Sequence, residues 1–359
     1  MDKTARKWYE KAGECSDVVI STRVRLARNL AAFPFPNRMT PEQKAEVERR
    51  VRDAILNSNS AIAADFSFLQ MDDLSSEQAV SLVERHIVSP EFIANSKGRG
   101  ILISKDESIS IMVNEEDHVR IQLLHEGLSL TETAETADRI DTLLNESLNF
   151  AFDPELGFLT QCPTNLGTGM RASVMLHLPA LTESGAMGRI ASNLSKLGLV
   201  IRGTYGEGTS VTGALYQLSN QITLGLSERE AVENLQNIAN QLIQEERKAR
   251  KVLLKNIAVL DHIGRSAGVI RGAKVLSCEE YMKLISNVRL GIAEGVLSGV
   301  PLEDVNALTA AVQPATLNAE QNGSLKAAQR EIARGRKGRE GKNRECIWAP
   351  APPDTHRKR

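Results

Sequence analysis

The chain has 359 residues, with 44 Lys or Arg against 45 Asp or Glu and a net charge of −1. This length accommodates two domains, because a single hydrophobic core rarely grows beyond about 250 to 300 residues. The even charge balance gives no overall attraction to nucleic acid or to an anionic membrane. No apolar run reaches the roughly 18 to 20 residues of a transmembrane helix, and we expect a cytoplasmic protein that binds neither membrane nor nucleic acid.

Four cysteines lie far apart in the sequence, without a Cys-x-x-Cys pair: Cys15, Cys162, Cys278 and Cys346. This spacing predicts neither a disulfide framework nor a zinc site, so we expect reduced thiols. Only Cys162 has neighbours that suggest chemistry, and a buried structural cysteine is the alternative.

The first predicted strand carries paired arginines in the run Ser21-Thr22-Arg23-Val24-Arg25. Side chains alternate between the two faces of a strand, so Arg23 and Arg25 share one face. Two planar guanidinium forks side by side are suited to phosphate oxygens. A surface strand with solvated arginines is the alternative.

Two helices follow, each with a complete start signal. Residues 40–58 begin with Thr40, Pro41 and Gln43, and residues 75–88 begin with Ser75 and Gln78. A hydroxyl cap with Gln three residues later is a capping box.

The next segment reads as a hairpin whose turn is acidic. Apolar residues alternate with polar ones in 109–113 and again in 119–123, which is the period of a half-buried strand. Between them lies Asn114-Glu115-Glu116-Asp117-His118, and Arg120 falls on the polar face of the second strand. A carboxylate held rigidly by two strands can serve as a general base or bind a cation; a solvated loop is the alternative. For His118 we expect a structural role rather than metal ligation.

A thiol, a glycine-rich bend and a cation occur within ten residues, from Cys162 to Arg171. Gly167 and Gly169 would let backbone approach an anion closely, but the segment lacks the Walker A pattern. Around it we predict a helix at 131–150, a strand at 172–178, a helix at 190–197 and a strand at 199–202. Arg202 then precedes a second glycine-rich segment that contains Glu207.

A long helix is predicted from Ser227, with a polar, solvated end at 245–251. After about residue 255 only helical patterns remain, at 257–263, 278–294 and 302–311. The last residues, 334–359, hold nine Lys or Arg against three Asp or Glu and are rich in Gly and Pro. Such composition favours disorder, with a basic arm for a partner as the alternative. We therefore divide the chain into residues 1–255, a helical domain at 256–333 and a disordered basic tail at 334–359.

Two of these motifs together resemble the ATP:guanido phosphotransferases, the phosphagen kinase family. The family pattern Cys-Pro-Thr-Asn-Leu-Gly-Thr stands at 162–168 and Asn-Glu-Glu-Asp-His at 114–118. The resemblance covers roughly residues 15–255. It implies an α+β catalytic domain, an antiparallel sheet flanked by helices, that uses ATP and Mg²⁺.

The resemblance also implies roles for individual residues. Arg23, Arg25, Arg120, Arg171 and Arg202 would bind the ATP phosphates. Glu116 would be the principal catalytic carboxylate, while Glu115 would support it or orient magnesium-bound water. Glu207 would hold the acceptor guanidinium and Cys162 would lie against it. Where the family has a histidine beneath adenine, this chain has Ile103, which predicts apolar packing of the adenine.

The helical extension after residue 255 resembles that of the bacterial protein-arginine kinases of the McsB type. In that group it serves dimerisation and phosphoarginine recognition, and the nearest match to the recognition segment contains Arg330, Glu331 and Arg334. The resemblance implies a homodimer or larger assembly. It also implies protein substrates with exposed arginines of the heat-shock repressor type, a zinc-binding activator of the McsA type and the Clp protease machinery as partners.

The expected function is therefore phosphorylation of protein arginine side chains. An acidic Glu207 favours arginine as the acceptor, by resemblance to arginine kinases. Two alternatives stay open at this point: a kinase for free arginine, and a catalytically inactive ATP-binding adaptor.

Overall fold

A computed structural model describes residues 5–203, 212–320, 325–340 and 349–350. The α-helices of this part are α1 (Pro41–Leu56), α2 (Ser76–Glu84), α3 (Pro90–Ile93), α4 (Leu130–Leu148), α5 (Pro179–Glu183), α6 (Met187–Lys196), α7 (Glu228–Leu253), α8 (Ile257–Gly272), α9 (Cys278–Ala293), α10 (Leu302–Ala311), α11 (Pro314–Glu320) and α12 (Ala327–Glu340). The strands are β1 (Val19–Arg28), β2 (Phe66–Gln70), β3 (Gly100–Ser104), β4 (Ile109–Val113), β5 (Val119–Glu126), β6 (Phe152–Asp153), β7 (Gly157–Phe158), β8 (Met170–His177), β9 (Leu199–Gly203), β10 (Leu215–Asn220), β11 (Leu297–Ser298) and β12 (Ala349–Pro350).

Eight strands form one antiparallel sheet in the order β2-β3-β4-β5-β1-β8-β10-β9. One face of the sheet is apolar and packs against α1, α4 and α7. Its buried side chains include Val24, Leu26, Ile121, Val174 and Leu218. The predicted α+β fold, an antiparallel sheet flanked by helices, is confirmed.

The predicted start signals and the hairpin are present. Thr40 and Ser75 each accept a hydrogen bond from the third helical residue and complete capping boxes, although α2 already ends at Glu84. β4 pairs with β5 in the register that sets Val113 opposite Val119, so the acidic residues form the turn between them.

The end of α7 differs from the prediction of a solvated segment at 245–251. Glu246 and Arg250 have no exposed surface. Arg250 donates to Glu246 at 2.8 Å and to the carbonyl of His177 at 3.1 Å. Glu246 also accepts from the backbone N–H of Ala180, at 3.1 Å, at the start of α5. The prediction was wrong here because the sequence does not distinguish charged residues on the surface from a buried ion pair. Burial is possible because further hydrogen bonds satisfy the remaining polar groups of the pair.

The helices after residue 255 have an apolar cluster of their own. It contains Ile263, Tyr281, Ile285, Val288 and Val312. The short β11–β12 ladder is the one strand pairing that the described part of this region adds to its helices. No described helix is both long and apolar enough to cross a bilayer.

The predicted start of the disordered tail, residue 334, is too early in the chain, because α12 continues to Glu340. Residues 334–340 form the last turns of α12, and Arg334 is 2% exposed. Gly335 allows this helix to pack against the backbone of Lys274, since a Cβ there would lie 2.7 Å from the Lys274 carbonyl oxygen. Composition alone could not show that a helix so rich in Arg and Gly has a packing partner. Residues 341–348 and 351–359 lie outside the described part.

Arg28 ties the sheet to the helical layer and to the loop before β8. It is 1% exposed and donates to Asp141 of α4 at 2.9 and 3.0 Å. Its third nitrogen donates to the Thr168 carbonyl at 2.9 Å, and its guanidinium carbon lies 3.5 Å from the ring centroid of Phe158. A buried guanidinium thus joins three parts of the chain.

We expect Asp141→Ala to lower the free energy of unfolding by about 3 to 5 kcal/mol, because it leaves the buried Arg28 charge without its main partner. Urea denaturation followed by circular dichroism measures the change. Asp138→Ala, on the exposed side of the same helix, is the matched control and should change stability by no more than about 0.5 kcal/mol. Equal effects of the two substitutions would contradict the anchoring role of Arg28.

Candidate active site

Strand register places all five predicted phosphate-binding arginines on one face of the sheet. Residues directly opposite each other in antiparallel strands share a face, and Arg25 lies opposite Arg171 of β8 and Gln122 of β5. Arg23 and Arg120 are each two residues from a member of that row, so they face the same way. Arg202 of β9 joins them through the row Ser21–Met175–Gln217–Arg202. This face is opposite the apolar core.

A cavity of about 200 Å³ opens on this face. Its wall includes Arg25, Arg120 and Arg171, together with Glu116 and Cys162. Three motifs that are distant in sequence therefore meet at one cavity, which is the candidate active site. Arg23 lies beside it on β1 and donates to Gln217 at 2.7 Å.

The arginines crowd one another. Burial lowers the pKa of Arg25 well below its ordinary value, and the charges of Arg23, Arg120 and Arg171 lower it further, against a raising effect of Glu115. Burial, with the charge of Arg120, lowers the pKa of Arg23 to about 10. The Nε of Arg25 is buried without a hydrogen-bond partner among the described residues. This crowding of cations favours the binding of a polyanion, which would supply the opposite charge.

The two glutamates of the acidic turn point to different surroundings. Glu115, whose side chain is 3% exposed, forms an ion pair with Arg120 and accepts a hydrogen bond from Ser89. Glu116 has a side chain that is 39% exposed and lies 3.9 Å from a guanidinium nitrogen of Arg120. Only Glu116 of the two lines the cavity. Glu115 is therefore in a position to support Arg120, whereas Glu116 can contact a molecule in the cavity.

Glu116 has the electrostatics of a general base. Burial raises its pKa, as do the charges of Asp117 and Glu115, while Arg120 and a hydrogen bond with Cys162 lower it. The net direction is upward, which makes its carboxylate a stronger proton acceptor than an ordinary glutamate.

Asp117 and His118 are structural. Asp117 accepts hydrogen bonds from Asn29 at 2.6 Å and from the backbone N–H of Gln161 at 2.8 Å, which joins the turn to the end of β1 and to the residue before Cys162. His118 accepts from the Leu30 N–H at 3.0 Å, as expected for a structural histidine. Among the described residues no group of three His, Cys, Asp or Glu could hold a metal ion.

The loop that begins at Cys162 supports Arg171. Arg171 donates to Asn165 at 3.0 Å and to the Thr164 hydroxyl at 3.1 Å, and that hydroxyl lies 3.1 Å from the Cys162 sulfur. Gly167 has a φ of +108°, and a Cβ there would lie 2.2 Å from the Thr223 carbonyl oxygen. The close approach that Gly167 allows is thus to the segment after β10 rather than to the cavity.

Two predicted positions, Arg202 and Ile103, do not line the cavity, and the place of a third is not described. Arg202 is exposed on the same face of the sheet, at the end of β9, and Glu207 lies outside the described residues. Ile103 is 1% exposed and belongs to the apolar cluster under α2 and α3, so the expectation that it packs against adenine is wrong. The alternation of apolar and polar residues along the sequence could not show that both faces of β3 are covered by apolar clusters.

Sequence reasoning missed a second, larger cavity next to the first. It measures about 530 Å³, shares Arg25 with the smaller one and includes Arg23 and His86. Burial, with the charge of Arg23, lowers the pKa of His86 to about 4, so His86 is neutral at pH 7. A lone histidine after a helix carries no motif, and only the fold shows its position.

The predicted phosphoarginine segment lies on α12. Arg334 donates to the carbonyls of Val312, at 2.9 Å, and Leu276, at 2.8 Å, and thereby fastens α12 to its neighbours. Arg330 and Glu331 are half-buried. Arg334 has a structural task in this arrangement, and phosphoarginine binding by the segment stays a prediction.

Comparison with known proteins gives the family of the chain. The sequence profile of the ATP:guanido phosphotransferase C-terminal catalytic domain matches residues 46–249. The chain belongs to the ATP:guanido phosphotransferase family. The profile of the protein-arginine kinase McsB C-terminal domain matches residues 256–344 of this guanido phosphotransferase.

Its relatives span nearly the whole chain. A protein-arginine kinase of Caldanaerobacter subterraneus subsp. tengcongensis is 47% identical over 89% of this chain and 95% of its own length. One of Halothermothrix orenii is 42% identical over 93% and 95%. Among solved structures, a duplicated taurocyamine kinase from Schistosoma mansoni matches 64% of this chain and 33% of its own, with a TM-score of 0.58 and 34% identity. Lombricine kinase matches 69% and 73%, with a TM-score of 0.57 and 26% identity. The predicted family is confirmed.

For this guanido phosphotransferase we expect kcat/KM to fall, as the pH decreases, through a pKa above the ordinary glutamate value of about 4.3. The reason is that Glu116 must be ionised to accept a proton and its pKa is raised. Initial rates of ADP release between pH 4 and 8, with circular dichroism to confirm folding, measure this acidic limb. A limb at or below the ordinary value would contradict the assignment of Glu116 as base.

Substitutions of Asp117 separate its charge from its hydrogen bonds. Asp117→Asn keeps an acceptor oxygen but removes a negative charge that raises the Glu116 pKa, so the acidic limb should move to lower pH. Asp117→Ala removes both hydrogen bonds and should lower kcat/KM by about 10-fold or more. Asp117 would have no positioning role if the two variants behaved alike.

Proposed function

We propose that this protein is a protein-arginine kinase, which transfers the γ-phosphoryl group of ATP to arginine side chains of other proteins. One observation carries the proposal: Arg25, Arg120, Arg171, Glu116 and Cys162 line a single cavity. The relatives named protein-arginine kinase, together with the match to the McsB C-terminal domain, support a protein as the acceptor.

Phosphoryl transfer needs positioning and neutralisation of charge more than covalent participation by the enzyme. In this proposal Arg23, Arg25, Arg120 and Arg171 bind the phosphate oxygens of ATP, and Arg202 completes the set from β9. Glu115 keeps Arg120 in place through their ion pair. A guanidinium, with a pKa above about 12, is a poor nucleophile, so Glu116 removes a proton as the phosphoryl group arrives.

Two further residues would shape the acceptor site. Cys162 lies next to Glu116 and would contact the guanidinium beside it. Glu207 would provide a second carboxylate for the same guanidinium; support for that role comes from its position five residues after Arg202.

Magnesium fits the site as a companion of the nucleotide. Mg²⁺ commonly uses one or two carboxylates together with substrate phosphates and water, and the described residues contain no cluster of three ligand side chains. One oxygen of Glu115 accepts a hydrogen bond from Ser89 and the other forms an ion pair with Arg120. Glu116 is therefore the better candidate for contact with magnesium-bound water. When bound, the ion would neutralise charge on the phosphates.

The remaining expectations are part of the same proposal. We infer a catalytic domain at 1–255 and a helical domain from 256, with a homodimer or larger assembly formed through the latter. Heat-shock repressors as substrates, a zinc-binding activator, delivery of marked proteins to a Clp protease and a cytoplasmic location follow from the resemblance to the McsB type. Phosphoarginine recognition by Arg330 and Glu331 belongs to this group of expectations.

Incubation with Mg-ATP and a folded, arginine-rich acceptor protein should produce acid-labile phosphate on that acceptor. Glu116→Gln should reduce the rate by about 100- to 10,000-fold through loss of the base. Glu77→Gln, exposed on α2, is the control and should leave the rate unchanged.

The same assay distinguishes the alternatives. Phosphorylation of free L-arginine in preference to the protein would identify a free-arginine kinase. An absence of ADP release with either acceptor would identify an inactive adaptor, and either result would refute the proposal.

A further inference from the structure

Ser89 connects a short helix to the acidic turn of the candidate active site. It lies between α2 and α3, and its hydroxyl donates a hydrogen bond to Oε1 of Glu115. The same hydroxyl accepts a hydrogen bond from the backbone N–H of Phe92, at 3.1 Å, and so caps α3. A hydroxyl has one donor and two acceptor lone pairs, so it makes both contacts at once and its only donor is used by Glu115.

The two oxygens of the Glu115 carboxylate have different partners. Oε1 faces Ser89, while Oε2 forms the ion pair with Arg120. Oε2 is buried and makes no directed hydrogen bond to a described residue, so the attraction of opposite charges joins it to the guanidinium. Charge alone does not fix the orientation of a side chain. Among the described residues, the hydrogen bond from Ser89 is therefore the directed contact that orients the Glu115 carboxylate.

Arg120 has a second carboxylate within reach. An oxygen of Glu116 lies 3.9 Å from its guanidinium, and both side chains line the smaller cavity. While Glu115 is held, Arg120 stays paired with that buried carboxylate and Glu116 is available to a molecule in the cavity. A displaced Glu115 would let Arg120 turn towards Glu116 and pair with it instead.

The segment before Ser89 is fixed to the sheet. Gln122 of β5 donates to the carbonyls of His86 and Ile87, each at 2.9 Å. Ser110 of β4 donates to the Ile87 carbonyl at 2.8 Å, and Ile87 has no exposed surface. Ser89 therefore follows a backbone segment that cannot shift without breaking several buried hydrogen bonds, which is the kind of support that a precise site requires.

Arg99 fixes the distance between α3 and the acidic turn. It donates to the carbonyls of Glu91 and Phe92, each at 2.7 Å, and to the carbonyl of Asn114 at 3.0 Å. Asn114 is the first residue of the turn, immediately before the glutamate that pairs with Arg120. The serine hydroxyl and this carboxylate therefore meet because the fold holds both backbones, rather than as two mobile surface side chains.

We propose that Ser89 is a positioning residue of the phosphoryl-transfer site: its hydroxyl orients Glu115, Glu115 orients Arg120, and Glu116 is thereby left free for the acceptor. This inference rests on the proposed function in that Arg120 binds a phosphate and Glu116 meets the acceptor guanidinium. Ser89 acts through Glu115 and contacts neither substrate. A cation that is already oriented stabilises the charge of the transition state without having to be reorganised.

Three substitutions of Ser89 separate its hydrogen bond to Glu115 from its helix cap. Ser89→Ala removes both, Ser89→Gly removes the hydroxyl but leaves a tolerated cap residue, and Ser89→Thr keeps both. The added methyl of Thr has room, because Ser89 borders the larger cavity.

Both Ser89→Ala and Ser89→Gly should lower kcat about 10-fold, the effect of one hydrogen bond to a charged group. The KM for ATP should change by less than about 2-fold, because Arg120 keeps its charge, and Ser89→Thr should retain most of the activity. The melting temperature should fall more in Ser89→Ala than in Ser89→Gly. A kcat that followed the melting temperature, low in the first and near normal in the second, would show a helix cap alone and overturn the proposal.

Ser75→Ala is the matched control. Ser75 caps α2 as Ser89 caps α3, accepting from the Gln78 N–H at 3.2 Å, but it is exposed. Its loss should lower the melting temperature and leave kcat unchanged. A 10-fold loss of kcat here as well would mean that any missing cap in this region has the same effect, which would contradict a specific role of Ser89.

A double-mutant cycle tests whether Ser89 acts through Glu115. In a Glu115→Ala protein, the further change Ser89→Ala should lower kcat by less than about 2-fold, since the hydroxyl has lost the group that it orients. An undiminished effect of Ser89→Ala in that background would refute the route through Glu115.

The orientation of Arg120 can also be observed without catalysis. Its guanidinium ¹⁵N–¹H signals, assigned by their absence in Arg120→Lys, should exchange with water at least about 10-fold faster in Ser89→Ala than in the unaltered protein. They should stay slow in Ser89→Thr and in Ser75→Ala. Equal exchange rates in all these proteins would refute the positioning role. The expected exchange rates in a protein that phosphorylates no acceptor would instead refute the proposed kinase function.

Discussion

Repulsion among arginines on one sheet face is the constraint on which the site depends. The strand register that buries Val24 and Leu26 on one side sets Arg23, Arg25 and Arg171 on the other. Like charges this close, and partly withdrawn from water, destabilise the protein until an anion joins them. The rest of the fold holds them in place: the apolar core behind the sheet, the Arg28–Asp141 pair at the end of β1 and the loop that fastens Arg171.

Glu115 and Glu116 of the acidic turn differ in how they interact with this positive charge. Glu115 is withdrawn from solvent and neutralises Arg120 within the protein. Glu116, one residue later, remains available at the cavity with a raised pKa. Neighbouring side chains in a turn need not share an environment, and here one carboxylate pairs with Arg120 while the other lines the cavity.

Alternation of side chains was sufficient to predict much of this from sequence. It identified the hairpin, the common face of Arg23 and Arg25, and the position of Arg120 on the side away from the core. It failed where burial depends on partners distant in sequence. Glu246 and Arg250 looked solvated because their partners include the backbone of another helix and strand. Arg334 looked like part of a tail because its acceptors are the carbonyls of Val312, just after α10, and Leu276, just before α9. Sequence analysis missed His86, because only the folded structure shows that it borders a cavity.

Asp117 has a consequence for how the catalytic centre can arise. A single oxygen of its carboxylate accepts from both Asn29 and Gln161, residues that lie 88 positions before it and 44 after it. Closing such loops is slow, because chain entropy must be lost before the contacts form. Cys162, Glu116 and the arginines therefore come together only in the nearly complete tertiary structure. A peptide that contains only one of these motifs would therefore lack the assembled site.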